Sequence, residues 1–161
     1  MSKIEYKPEI CEHCGQTETY ILGLDHGTVD IVRAIAKKIG EKGINIVHPR
    51  KENVLTNTQW CNIARPRFHG LIAAVKGKRG NFLLTKKGAA FLRGETVPRY
   101  AIVSKVEGHQ IGYFEQENNK VTISDLLAKG EYWEGIGYDI VDGEVFHRVE
   151  DVRAEQRPLF A

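Results

Sequence analysis

The chain has 161 residues, 42% of them hydrophobic and 27% charged, and a formal net charge of +2. That length holds one ordinary domain, or a compact one with a small appendage, around a real core. No apolar run approaches the ~20 residues of a membrane span and no signal-peptide core follows Met1, so a soluble, cytoplasmic protein without membrane contacts is expected.

The N-terminal arm carries Cys11-Glu-His-Cys14-Gly15. A helical pattern follows, in which Val29, Ile31, Val32, Ile35 and Ile39 form an apolar stripe with Arg33, Lys37 and Lys38 off it. Gly40 or Gly43 is the expected stop. Ile44, Ile46 and His48 alternate with other residues as in a short strand closed by Pro49. Thr56-Asn-Thr-Gln59 fits a capping box opening a second helix, along which Trp60, Ile63, Ala64, Phe68, Leu71 and Ile72 recur at roughly helical spacing. Pro66 either kinks this helix or starts a new short one.

Strands are expected over 71–75 and 81–84, joined by the basic, Gly-rich tip Lys76-Gly-Lys-Arg-Gly80. Thr85 caps a last helix that runs through Leu92 and stops at Gly94. Beyond Pro98 the texture turns to short β-type runs at 100–106, 110–114 and 120–124. Residues 124–128 fit one or two helical turns, and Asp142-Gly143 reads as a hairpin turn. Residues 150–161 read as a loose, charged tail.

Charge is spread unevenly along these elements. Residues 1–52 balance, residues 53–94 carry eight basic side chains and no acidic one, and residues 95–161 carry a net −6. A charge run is usually a solvated face. Forty-two residues without a carboxylate look more like a surface for a polyanion.

Helix, strand, capped helix, Gly70-Leu-Ile72, basic hairpin and Leu84-Thr-Lys-Lys-Gly88 come in the order of a winged helix. Residues 28–94 resemble the winged-helix DNA-binding superfamily, and the phage and bacterial proteins that put a C-x-x-C arm before such a domain. The resemblance implies that Asn57, Thr58, Gln59, Asn62, Arg65 and Arg67 face the major groove, where Asn, Gln and Arg suit bidentate base contacts. Lys76, Lys78 and Arg79 would meet phosphates or the minor groove, and Lys86 and Lys87 would add phosphate contacts at a helix start. One departure stands out: Pro49–Leu55 is short and charged where a full second helix is expected. Some winged helices dock protein instead of nucleic acid, and that alternative stays open.

Cys11-x-x-Cys14-Gly is the turn of a zinc knuckle, aiming two thiolates at one ion. A closed site needs two more ligands, and His13, His26, His48, Cys61 and His69 are the candidates without diagnostic spacing. Zinc as cofactor and a plain reduced pair are both compatible with the pattern. Cys61 reads more readily as a small buried residue than as a ligand. No Gly-rich phosphate loop, H-E-x-x-H or nucleophile elbow occurs, and no catalytic residues are nominated.

Gln156-Arg-Pro-Leu159-Phe160 resembles the peptides by which bacterial replication and repair proteins dock on the sliding clamp, with Arg157 where an aliphatic residue is commoner. Gln156, Leu159 and Phe160 would be the contact residues. The alternative is that Leu159 and Phe160 fold back on the acidic region.

The expectation is an α+β protein in four parts: a Cys-x-x-Cys arm (1–26), a winged helix (27–97), a small acidic β-rich domain (98–150) and a flexible tail (151–161). It would bind double-stranded DNA without catalysis, as a phage or mobile-element regulator of transcription or an accessory factor. RNA as the ligand and a homodimer remain open. The alternative is an adaptor or inhibitor of a host nucleic-acid-binding complex, working through its acidic C-terminal region.

Overall fold

The computed structural model describes residues 10–16, 18–105, 110–113 and 118–147. It is a mixed α+β structure with three small antiparallel sheets. β1 (Thr19–Gly23) falls inside the segment expected to be a plain arm, and leads into α1 (His26–Lys42).

α1 is longer than its apolar stripe because both ends are capped. The Asp25 carboxylate accepts from the Thr28 amide at 2.8 Å, and Gly43, left-handed at φ 72°, donates to the Ile39 carbonyl. Gly40 does not end the helix. A Cβ there would strike the Tyr138 ring, whose hydroxyl donates to the Ala36 carbonyl at 2.6 Å. The residue is small so that an aromatic ring can lie on the helix backbone.

The segment after α1 departs from its expected parity. Ile44 is 57% exposed, whereas Asn45 and Val47 are buried. Val47 exchanges both backbone hydrogen bonds with Phe82, and the Asn45 side chain takes the next pairing position against Leu84. Alternation marked the right stretch, but a side-chain amide standing in for a backbone pair put the other face inward.

α2 (Asn57–Cys61) has the expected capping box, with Thr56 and Gln59 bonded reciprocally. The helix breaks at 62–63 and restarts as α3 (Ala64–Phe68). Pro66 sits in the first turn of α3, where its missing N–H leaves no bond unmade. Cys61, expected to be buried, is exposed.

β2 (Ile72–Ala74) and β3 (Phe82–Leu84) pair around the 75–81 turn and lead into α4 (Lys86–Leu92). Thr85 ties this corner together. Its hydroxyl donates to the Gly70 carbonyl (2.5 Å) and accepts from the Gly88 amide (3.0 Å). Gly88 is required because α4 meets the Leu71 carbonyl so closely that a Cβ would overlap it.

β4 (Tyr100–Ser104) pairs with β1 on one side and with β5 (Gln110–Tyr113) on the other. The strand expected over 120–124 is reduced to one bridge between Val97 and Val121. Thr122 and Asp125 then form a capping pair, and α5 (Ile123–Leu126) follows as a single turn. The cap offers the backbone a helical start that competes with extension. β6 (Tyr138–Val141) and β7 (Glu144–His147) make the expected hairpin, with Asp142 and Gly143 both at positive φ.

The core is one cluster. Ile31, Ile35, Ile39, Leu71, Leu84 and Phe91 pack with Val121, Ile123, Leu126, Ile136 and Tyr138 from beyond residue 98. Among the described residues no helix is long and apolar enough to cross a membrane.

Candidate functional site

The turn after β2 is held by its own backbone. Val75 donates to Asn81 and Asn81 to Lys78, and Gly77 and Gly80 both take positive φ. Lys76, Lys78 and Arg79 are exposed, and none pairs with a carboxylate among the described residues. The same holds for exposed Lys86 at the start of α4.

A stack of rings fixes this turn relative to α2. His48 lies over Trp60 with centroids 5.9 Å apart and planes 15° from parallel, and Trp60 meets the Phe82 ring edge-on at 6.2 Å. His48 packs against Gly80, where a Cβ would strike its ring. His48 Nδ1 also accepts from the Lys51 amide at 3.1 Å. The residue is thus a wedge between helix and hairpin.

Thr58, Gln59, Asn62 and Arg65 converge on a cleft of about 450 Å³, facing Asp25, Thr28, Asp30 and Ile31 from the start of α1. Asn57 and Thr58 are exposed. The Asn62 amide donates to the Thr58 carbonyl at 3.0 Å, and Gln59 is engaged in its cap. The Arg65 guanidinium donates to Asp25 at 3.2 Å, and the Arg67 guanidinium lies over the Phe68 ring. Burial alone would raise the Asp25 carboxyl, but the Thr28 amide and hydroxyl, with Arg65, hold it below its ordinary value.

The run without carboxylates therefore does not make a surface without carboxylates. Arg65 meets Asp25, and Arg93 meets Asp139 and Glu95. Lys87 hydrogen-bonds the Tyr113 hydroxyl and lies 3.9 Å from the centre of its ring, joining α4 to β5.

His69 is enclosed beside this junction, 1% exposed, with no hydrogen bond to either ring nitrogen. The Gly23 backbone and the Asp25 charge would favour a charged ring, but Gly23 falls short of hydrogen-bond geometry. Burial first, then the nearby Lys87 charge, pushes the imidazole down to about 4, so the ring is neutral at pH 7.

The two cysteines sit on a tight turn in which Gly15 donates to the Cys11 carbonyl at 3.0 Å. The Cys14 and His13 amides and the Cys14 thiol pull the Cys11 thiol below its usual value, which favours thiolate. Of the further ligand candidates, His48 is stacked on Trp60 and His69 is buried in the core. His26 bonds to Glu131 at 2.9 Å and pairs with Asp30. Among the described residues, the only group of three potential metal ligands is His26, Asp30 and Glu131, which includes neither cysteine. Arg33 already pairs with both carboxylates of that group, at 2.7 Å from Glu131 and 3.5 Å from Asp30.

Asp25, Asp30, Thr28 and the His48–Trp60–Phe82 stack were missed in the sequence. Asp25-x-x-Thr28 at a helix start was the available signal for the first of these. Gln156, Leu159 and Phe160 lie outside the described residues. No family model, curated protein or solved structure matches the chain.

Proposed function

We propose that the chain is a non-catalytic nucleic-acid-binding protein whose residues 27–97 work as a winged helix on double-stranded DNA. The observation that carries this reading is the turn with three exposed cations, Lys76, Lys78 and Arg79, unpaired with any carboxylate among the described residues and braced against α2 by stacked rings. The element order α1, the isolated bridge at Val47, α2–α3, β2, turn, β3 and α4 supports it. α2–α3 would occupy the major groove through Asn57, Thr58, Asn62 and Arg65, with the turn as the wing on the backbone. Such a protein fits a regulator or accessory factor of a phage or mobile element. Recruitment to a sliding clamp through Gln156, Leu159 and Phe160 belongs to the same proposal. Replacing Lys76, Lys78 and Arg79 together by Glu should weaken binding to all duplexes alike, because phosphate contacts carry no sequence information.

A specific surface favours a second reading, an adaptor or inhibitor. Ile44, Val141 and Glu144 lie side by side across the β7 pairing, and Phe146 follows on the same face. Ile44, Val141 and Phe146 are about half exposed, next to Asp139 and Glu144. An apolar face edged with acid suits a protein partner that carries basic groups. Val141→Lys with Phe146→Lys should abolish function under this reading and leave duplex binding intact under the first.

A further inference from the structure

We propose that Asp25 and Arg65 together read one G·C base pair, Arg65 as the contact to guanine and Asp25 as the residue that positions it. This rests on the nucleic-acid reading above and names the specificity of that site.

The geometry begins at the cap of α1. Asp25 Oδ1 accepts from both the amide and the hydroxyl of Thr28, each at 2.8 Å. The carboxylate is thereby fixed to the most deeply packed helix of the molecule. Its other oxygen, Oδ2, accepts from Arg65 at 3.2 Å. Arg65 lies in the first turn of α3, so this one bond ties the cap of α1 to α3 and orients a guanidinium whose remaining N–H groups have no partner among the described residues. Both side chains stay about half exposed, at the mouth of the cleft lined by Thr58, Gln59 and Asn62.

Two arguments sort Arg65 from the other cations. The neighbouring polar groups are already engaged: Asn62 with the Thr58 carbonyl, Gln59 in its cap, Arg67 over Phe68. Among the residues lining the cleft Arg65 is the one cation, and its bond to Asp25 takes only one of its five donors. Second, a carboxylate beside an arginine repels a phosphate but not a neutral base edge. Lys76, Lys78 and Arg79 have no such neighbour among the described residues and suit the DNA backbone. Arg65, with Asp25 attached, suits guanine O6 and N7, the acceptor pair that a guanidinium fork matches. The free lone pair of Asp25 Oδ2 is a fitting acceptor for a cytosine N4 amine beside it.

The test is selection from a duplex pool with randomised positions, with sequencing of the bound fraction. The protein, Arg65→Lys and Asp25→Asn would each be run at low and moderate salt. Asp25→Asn is the informative variant because asparagine caps a helix as well as aspartate does, and unchanged thermal unfolding would confirm that the fold is kept. The wild-type protein should enrich G at one position, Arg65→Lys should weaken that preference by removing the planar fork, and Asp25→Asn should cut it by about tenfold. Low-salt affinity for the unselected pool should hold or rise for Asp25→Asn, since a negative charge has left the surface. An unchanged G preference in Asp25→Asn, or a wild-type pool with no preference for G, would overturn the assignment while leaving duplex binding itself intact. No binding of the pool by wild type would overturn this assignment and the nucleic-acid reading together.

Discussion

Asn45 holds both backbone groups of Leu84, its side-chain oxygen accepting from the Leu84 amide at 2.9 Å and its amide donating to the Leu84 carbonyl at 3.0 Å. All four groups are buried, so removing the side chain strands two polar atoms of β3. Asn45→Ala should cost about 2–4 kcal/mol, as expected for two unpaired buried groups. Asn45→Asp should cost a similar amount, because it keeps the acceptor but sets an anion against the Leu84 carbonyl. Urea unfolding checks both. A change within about 0.5 kcal/mol for Asn45→Ala would mean that the pairing is replaced by solvent.

The Leu71–Gly88 contact makes a second, sharper prediction. Gly88→Ala puts a methyl group into the Leu71 carbonyl, and should lower stability by about 3 kcal/mol or prevent folding. Gly27→Ala is the counter-case, since its Cβ would meet only the Asp25 carboxylate at an ordinary 3.6 Å. At an open helical position this change should stabilise by about 0.5–1 kcal/mol. Thermal melting of the two variants side by side distinguishes them; similar shifts of the same sign would contradict the packing described.

Buried, neutral His69 makes stability depend on pH. Its folded value of about 4 lies below the ordinary 6.5, so the unfolded chain binds the extra proton between those values. Its contribution is therefore fully present above pH 6.5 and is lost as pH falls through that window to about 4. The loss should amount to about 3 kcal/mol. The charges facing the ring are Lys87 and Arg65, which oppose protonation, and Asp25, which favours it. His69→Leu should flatten the profile between pH 6.5 and 4 in denaturant titrations. The same slope in that variant would assign the effect to carboxylates instead.

Where the sequence spoke through local rules, it was legible. The Thr56–Gln59 box, the Thr85 cap, the Asp142-Gly143 turn and the α1 stripe all depend on neighbours within a few residues. The misses came from partners far along the chain. Ile44 looked like an inward residue until Asn45 was seen to pair with Leu84, thirty-nine residues on. Of the two expected stops Gly43 is the one used, and what keeps Gly40 inside the helix, the Tyr138 ring lying on it, is nearly a hundred residues away. The basic run was read from composition, yet Arg65 and Arg93 take their carboxylates from segments outside it. The basic tip of Lys76, Lys78 and Arg79 was legible because its own backbone and glycines shape it, while the His48 ring that braces it at Gly80 comes from a separate segment. The capped starts of α2 and α4 and the β2–β3 pairing were readable for local reasons, whereas the strand expected at 44–48 is reduced to isolated bridges. Trp60 showed as apolar periodicity but not as the middle of a stack, since His48 and Phe82 come from separate elements.

The most direct measurement of the central claim is the salt dependence of binding to a random-sequence DNA duplex. With Lys76, Lys78, Arg79 and Lys86 on phosphates, the logarithm of affinity should fall against the logarithm of salt with a slope of about −3 to −4. The triple charge reversal at Lys76, Lys78 and Arg79 should bring that slope close to −1. A flat salt response, an unchanged slope in the reversal, or no binding to duplex at about 50 mM salt would contradict it.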